Sequence, residues 1–260
     1  MIKKILLLLP ILFSLNCTQF EISSKNLTST STTKIVGGQV EEKYPNVVAV
    51  HTDIYLCTGS IIHPQVILTA GHCIYNRNNM TDEPAYEIQI GTQHRGISNE
   101  IYEVSESIAH EEWKKIDGDY QNNDIALLIL KKPIVGHEFL PLYPMDPNFF
   151  IGNDLLAIGY GVSDGIAQTG SGIKRSVVLE IDQALNSLFI AIKKTEITQD
   201  ACQGDSGGPG LINIDGRYGI LGIVSSGPEG CPGYTFYVSL YSQTEWIDTT
   251  LQQRNIYINY

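Results

Sequence analysis

Short apolar runs separated by turn residues dominate the chain from Tyr44 onward. The runs are rich in Val, Ile and Leu and do not alternate with helical segments, so a parallel sheet is not expected. Many short strands at moderate spacing are typical of a barrel or a sandwich, and the pattern therefore predicts an all-β fold. The predicted strands are Val47–His51, Gly59–Ile62, Val66–Thr69, Tyr86–Ile90, Ile125–Leu130, Leu155–Ile158, Val177–Ile181, Gly210–Ile214, Gly219–Val224 and Thr235–Val238.

One segment near the end of the chain has a different pattern. Ser242–Leu251 is amphipathic, and it contains Trp246 and Ile247. Its apolar residues recur at helical spacing, which predicts a closing C-terminal helix.

The first residues have the pattern of an export signal. Two lysines precede the apolar run Ile5–Leu15, which is too short to span a membrane as a helix. Residues 1–16 are therefore predicted to be a signal peptide. The run ends just before Cys17 without the small residues of an ordinary cleavage site, and it resembles a bacterial lipoprotein signal. Ser14 stands where such signals usually carry leucine, so lipid anchoring through Cys17 and plain secretion both stay open.

Residues 17–34 are rich in Ser and Thr and have little to bury. This composition predicts a flexible tether or a propeptide. The segment ends at Lys34, and the sequence then changes to Ile35-Val36-Gly37-Gly38. By itself, Lys-Ile-Val would simply begin a strand. Residues 35–260 are predicted to form the folded domain.

The overall charge excludes one class of function. The chain has 260 residues and a formal net charge of −11, whereas a nucleic-acid-binding protein normally carries a basic patch. The acidity predicts a soluble surface. No apolar run of transmembrane length follows residue 16.

A glycine-rich stretch carries the strongest candidate for chemistry, Asp200-Ala201-Cys202-Gln203-Gly204-Asp205-Ser206-Gly207-Gly208-Pro209. Its glycines allow a tight turn in which backbone N–H groups converge beside the Ser206 hydroxyl, as a nucleophile requires. Gly, Asp, Ser and Pro are also the commonest turn residues, so an ordinary turn is the alternative.

Two further residues have comparable settings. His72 follows the predicted strand Val66–Thr69 in the sequence Thr69-Ala70-Gly71-His72-Cys73, and Asp124 stands directly before the apolar strand Ile125–Leu130. A histidine or an aspartate at a strand end is otherwise a surface or turn residue.

The order His, Asp, Ser, together with these motifs, resembles the trypsin-like serine proteases of the chymotrypsin fold. The resemblance covers roughly Ile35 to Trp246 and implies two six-stranded antiparallel β-barrels with the active site between them. It implies that Ser206 is the nucleophile, His72 the general base and Asp124 the residue that orients His72. The backbone N–H groups of Gly204 and Ser206 would form the oxyanion hole.

The same resemblance implies a zymogen and a specificity. Cleavage after Lys34, by this protein or by an activating protease, would free the amine of Ile35 to pair with Asp205. Asp200, with Ser225 and Gly227 beside it, would form a pocket for substrate Lys or Arg.

The cysteines divide into one outlier and four in the folded domain. Cys17 is the outlier, and the other four allow three disulfide pairings, which are more plausible than metal ligands in an exported protein without CxxC spacing. The resemblance implies Cys57–Cys73 and Cys202–Cys231. No clustered acids follow Gly91 as in the family's calcium loop, so neither a metal nor a cofactor is expected.

Two departures from the family pattern concern the substrate pocket. The usual Ser-Trp-Gly wall is Ser225-Ser226-Gly227 here, which removes an aromatic platform, and only Pro232 separates Cys231 from Gly233. Two hypotheses of function remain: an exported endopeptidase that cleaves protein or peptide substrates after Lys or Arg, or a surface-displayed binding protein on a protease scaffold with incidental catalysis.

Overall fold

The computed structural model describes residues 38–97, 99–115, 121–193, 200–231, 233–258 and 260. The predicted signal peptide and tether, the Lys34–Ile35 boundary and Cys17 lie outside the described residues. No helix in the described ranges is long and apolar enough to cross a membrane.

Strands are the main secondary structure of the described chain, and every predicted strand overlaps an observed one. The strands in these ranges are β1 Gln39–Val40, β2 Val47–His51, β3 Leu56–His63, β4 Val66–Thr69, β5 Tyr75–Asn76, β6 Thr81–Asp82, β7 Glu87–Ile90, β8 Glu100–Ala109, β9 Ala126–Leu130, β10 Asp154–Gly159, β11 Arg175–Leu185, β12 Leu188–Ile192, β13 Pro209–Ile214, β14 Arg217–Ser226 and β15 Thr235–Ser239.

The first barrel is closed by antiparallel pairing in the order β2, β3, β4, β9, β8, β7. β2 and β4 are buried along their whole length, as their nearly continuous Val, Ile and Leu sequences predict. In the register of β4 with β9, Thr69 at the end of one strand lies opposite Ala126 at the start of the other. The residues after β4 therefore lie beside the residues before β9, which brings together two distant parts of the sequence.

The second barrel contains β10, β13, β14, β15, β12 and β11, and it closes because β11 pairs with both β10 and β12. β1 adds to the edge of β11. The two six-stranded antiparallel barrels implied by the family resemblance are confirmed. Because Pro209 at the start of β13 pairs with Ile223 near the end of β14, the loop before Pro209 lies beside the segment that includes Ser225.

Two short helices complete the described fold, α1 Glu111–Lys114 and α2 Thr244–Gln252. The predicted C-terminal helix is confirmed, but it begins two residues later than expected because residues 240–242 form a 3-10 turn. Gln243, just before α2, donates from Nε2 to the carbonyl oxygen of Asn122 at 2.8 Å. This contact holds the segment that leads to Asp124.

Two barrel strands have no counterpart among the predicted ones. β8 has the sequence EIYEVSESIA and is exposed over much of its length, so it offers no apolar run. β12 is the short sequence LFIAI, and its strand state comes from pairing with β11 on one side and β15 on the other.

Candidate active site

His72 lies in a 3-10 turn, Gly71–Cys73, directly after β4. A disulfide joins Cys73 to Cys57 of β3, with the two Cα atoms 6.2 Å apart, and this is one of the pairings that the resemblance implies. The turn is thereby attached to the barrel through both its own strand and its neighbour. The His72 side chain keeps 32% of its surface exposed, so the ring is held in place and still reaches solvent.

Asp124 fixes the orientation of the His72 ring. Its carboxylate is almost completely buried, and Oδ1 accepts the backbone N–H of His72 at 2.8 Å while Oδ2 lies 2.7 Å from His72 Nδ1. The hydroxyl of Ser225 also donates to Oδ2, at 2.6 Å. Burial alone lowers the pKa of His72, but the charge of Asp124 and the hydrogen bond to it outweigh that effect and raise the pKa above its ordinary value.

Ser206 lies at the other side of the same cleft. The Ser206 carbonyl oxygen accepts the N–H of Thr58 at 2.9 Å and is 3.7 Å from the sulfur of Cys73. Ser206, Gly204 and His72 border one cavity of about 540 Å³. The barrel contact therefore brings together the histidine, the aspartate and the serine that the sequence placed in three separate motifs.

The glycines around Ser206 are required by the backbone. Gly204 and Gly207 have φ of +98° and +78°, in a region of backbone conformation that is strongly unfavourable for residues other than glycine. A Cβ at Gly207 would also lie 2.2 Å from Thr69 Oγ1. Within the described ranges, the N–H groups of Gly204 and Ser206 donate to no protein acceptor, so both stay available beside the Ser206 hydroxyl.

Asp205 points away from the cleft into the second barrel. Its carboxylate is buried and accepts the N–H groups of Gly161 and Cys202, each at 2.8 Å. Burial raises its pKa to about 6, although these two hydrogen bonds and the charge of Arg175 act in the opposite direction. A Cβ at Gly159 would lie 2.2 Å from Oδ1 of Asp205, so the carboxylate occupies space that a side chain would fill.

Asp200 lies behind the wall of a second pocket. It does not itself line the pocket, but its neighbour Ala201 and its hydrogen-bond partner Thr235 do. The pocket has a volume of about 200 Å³, and its lining includes Ser206, Ser225, Gly227 and Thr235. The disulfide Cys202–Cys231, the other pairing that the resemblance implies, forms part of the wall.

The carboxylate of Asp200 is only partly satisfied. Asp200 is fully buried, and its Oδ1 accepts the N–H of Ala201 at 2.8 Å and the hydroxyl of Thr235. Oδ2 is buried without a hydrogen-bond partner among the described residues. Desolvation raises the pKa of Asp200 to about 6. A buried carboxylate with one unpaired oxygen is suited to receive a cation.

A third cavity opens where the family's aromatic wall residue is replaced by Ser226. It has a volume of about 450 Å³ and lies against His72 and Asp124. Its apolar walls come from Trp113, Leu188 and Phe236. An apolar space therefore lies beside the histidine, at the position where the resemblance implies an aromatic platform.

The glycine before His72, Gly71, lies against Trp113. A Cβ at Gly71 would lie 2.9 Å from Cδ1 of Trp113 and 3.2 Å from Oδ1 of Asp124. The indole can approach the turn this closely because residue 71 has no side chain. No local pattern in the sequence marks Trp113, Leu188 and Phe236 as site residues, because an apolar residue that borders a cleft has the same local pattern as one that fills a core.

One group of potential metal ligands occurs among the described residues, Cys57, His72 and Cys73. The two cysteine sulfurs are bonded to each other, so they offer no thiolate to a metal ion.

Comparisons with known proteins agree with this geometry. The family model described as Trypsin matches residues 35–247. The chain is 28% identical to a tryptase from Mus musculus over 279 aligned positions, which cover 95% of this chain and 97% of the relative. It is 29% identical to a trypsin from Simulium vittatum over 226 positions, which cover 78% of this chain and 86% of the relative.

Proposed function

Because this chain belongs to the trypsin family of serine endopeptidases, we propose that it cleaves peptide bonds after Lys or Arg through an acyl-enzyme formed on Ser206. The observation that carries the proposal is the shared cleft of Ser206 and His72, with Asp124 hydrogen-bonded to the ring at 2.7 Å. The specificity rests on Asp200 and is argued separately below.

In the first step, the Ser206 hydroxyl attacks the substrate carbonyl while Nε2 of His72 takes its proton. Asp124 holds the Nδ1–H tautomer and stabilises the imidazolium as it forms. The carbonyl oxygen becomes an oxyanion that accepts the N–H groups of Gly204 and Ser206. The C–N bond then breaks, and His72 returns the proton to the leaving amine. Each oxyanion donor is worth about 3–4 kcal/mol.

The second half of the reaction repeats the chemistry with water as the nucleophile. His72 accepts a proton from the water, which attacks the ester carbon of the acyl-enzyme, and the proton then passes to the Ser206 oxygen as that bond breaks. The enzyme returns to its starting state with no cofactor consumed.

Asp200 supports a preference for Lys or Arg. A substrate cation in the pocket would pair with Oδ2, which lacks a partner among the described residues, and would offset the desolvation that raises the pKa of this carboxyl to about 6. Ser225 and Gly227 would line the path of the substrate side chain. A neutral substrate side chain would leave the buried carboxylate uncompensated, which is how the site would discriminate.

The proposal includes activation by cleavage between Lys34 and Ile35. The buried carboxylate of Asp205 supports it, because a new α-ammonium group beside this carboxylate would compensate the desolvation that raises its pKa to about 6. The ion pair at Asp205 would then hold the loop between Cys202 and Ser206 against the second barrel. Replacement of Lys34 by Gln should give an uncleaved and nearly inactive chain, and full activity with an intact N-terminus would contradict this part.

Export and anchoring complete the proposal. Residues 1–16 would direct the chain out of the cytoplasm. The two disulfides are stable in the oxidising environment outside it. Cys17 would be the attachment point if the chain is a lipoprotein, and cleavage after Lys34 would then release the domain. Mass spectrometry of the mature N-terminus checks both steps.

The decisive experiment compares the wild-type protein with Ser206→Ala. A fluorophosphonate probe should label the wild-type serine, and the variant should lose labelling together with about 10⁶-fold in kcat on Lys and Arg peptides. Hydrolysis that persists in the variant would overturn the catalytic assignment. A labelled serine without turnover of any peptide would favour the binding-protein hypothesis.

A matched variant tests specificity separately. Asp200→Ser should lose the preference for Lys and Arg while Ser206 still reacts with the fluorophosphonate. If Lys and Arg substrates remain preferred in this variant, the proposed role of Asp200 is wrong, although the triad is not affected.

A further inference from the structure

Thr58 contacts the Ser206 loop with both its backbone and its side chain. It lies in β3 of the first barrel and is completely buried. Its N–H donates to the carbonyl oxygen of Ser206 at 2.9 Å, and its hydroxyl donates to the carbonyl oxygen of Gly204 at 2.7 Å. The two bonds span the part of the loop that carries the proposed oxyanion donors.

The same hydroxyl also connects the loop to the second barrel. Thr58 Oγ1 accepts the N–H of Tyr160, directly after β10, at 3.0 Å. A hydroxyl has a single proton, and since the Tyr160 amide is a donor, that proton is directed to Gly204. The backbone of Thr58 is itself held, because its carbonyl oxygen accepts the hydroxyl of Thr69 at 2.8 Å. The donor that faces Gly204 therefore has little freedom to move.

Gly204 needs an external partner of this kind. Its φ is +98°, and a glycine can adopt many other backbone conformations. The residue by itself therefore does not fix the orientation of its carbonyl. The Gly204 carbonyl shares a rigid peptide plane with the N–H of Asp205, which donates to the carbonyl oxygen of Cys202 at 2.9 Å. Rotation of this plane would change ψ of Gly204 and φ of Asp205, and the backbone on both sides, which carries the N–H groups of Gly204 and Ser206, would have to adjust. Asp205 holds the loop from the second-barrel side through Gly161, whereas Thr58 holds it from the first barrel.

We propose that Thr58 is a positioning residue for catalysis, whose hydroxyl holds the Gly204 carbonyl so that the N–H groups of Gly204 and Ser206 stay aimed at the reacting oxygen. Thr58 does not touch the substrate and acts only through the loop. The inference rests on the proposed function, because the orientation of these donors matters only if Ser206 is acylated.

The test removes the hydroxyl and then restores it. Thr58→Val keeps the branched shape without the donor, Thr58→Ala removes the donor without adding a methyl group near Gly204, and Thr58→Ser keeps the donor. In the Val and Ala variants kcat should fall about tenfold to a hundredfold, less than the ~10²–10³ that follows loss of an oxyanion donor itself. KM should change less than about threefold, since ground-state binding is not altered. Thr58→Ser should recover kcat to within about threefold of wild type.

The affinities of two inhibitors distinguish positioning of the oxyanion donors from a merely structural role. A peptide boronate with Lys next to boron places an oxygen in the oxyanion hole, and its affinity should fall in parallel with kcat. Benzamidine occupies only the Asp200 pocket, and its affinity should stay unchanged. Ser60→Ala is the matched control, because it removes another fully buried hydroxyl from the same strand, and its kcat should equal that of wild type.

Three results would overturn the inference: an unchanged kcat in folded Thr58→Ala, equal weakening of both inhibitors, or the same loss of kcat in Ser60→Ala. The rate of Ser206 labelling by the fluorophosphonate separates this failure from failure of the proposed function. If wild type does not cleave Lys peptides but is labelled, the labelling rates of the three Thr58 variants still test the role of Thr58.

Discussion

Replacement of Gly71 by Ala tests the packing beside the active site most directly. The new Cβ would lie 2.9 Å from Cδ1 and 3.0 Å from Cγ of Trp113, and 3.2 Å from Oδ1 of Asp124. These two Trp113 atoms are at the base of the indole, so a rotation of its outer edge cannot relieve the contact. Either α1, which carries Trp113, or the turn at His72 must shift.

Overpacking of a well-packed site costs about 1–3 kcal/mol. We therefore expect Gly71→Ala to lower the free energy of unfolding by about 1–3 kcal/mol. We also expect kcat to fall severalfold, because Oδ1 of Asp124 accepts the His72 N–H at 2.8 Å and any displacement moves both residues.

A double-mutant cycle identifies the cause. Trp113→Leu removes the crowded atoms, so Gly71→Ala should cost little in that background, and the coupling between the two positions should exceed about 1 kcal/mol. Unfolding is measured by urea titration in a Ser206→Ala background, which prevents self-digestion. The proposed clash with Trp113 is refuted if Gly71→Ala is neutral in the parent or costs the same with Trp113 and with Leu at that position.

Three other predictions concern the same cleft. Activity should rise with pH through a midpoint above 6.5, because the carboxylate of Asp124 raises the pKa of His72 and only the neutral ring acts as a base; a midpoint below 6.5 in kcat/KM profiles contradicts this. Asp200→Asn should raise the free energy of unfolding more at pH 8 than at pH 4 in urea titrations. The pKa of Asp200 in the folded protein, about 6, lies above the ordinary 3.8, so the wild-type protein loses stability as the pH rises from 3.8 to about 6 and this carboxyl ionises. An equal effect at both pH values refutes it. Ser226→Trp should occupy part of the cavity of about 450 Å³ and lower kcat/KM for peptides with a bulky apolar residue before Lys, relative to peptides with glycine there; no change in that ratio counts against it.

The sequence allowed the strands and the chemistry to be predicted because both depend on local patterns. β2 (VVAVH) and β4 (VILT) are mostly apolar runs, and this composition predicts their burial. His72, Asp124 and Ser206 could be proposed as site residues because each stands in a short motif next to a strand. The exposed strand β8 carries no such pattern, and its sequence does not predict it.

Only the tertiary structure shows how the site is supported and shaped. Thr58 is separated from Gly204 by 146 positions in the chain, and nothing in its own segment indicates that its hydroxyl bonds there. Trp113, Leu188 and Phe236 meet around one cavity although they come from three different elements. The physical reason is that a hydrogen bond or a packing contact depends on separation in space, which barrel closure and strand register determine, whereas a local sequence pattern records only the burial and conformation of its own segment.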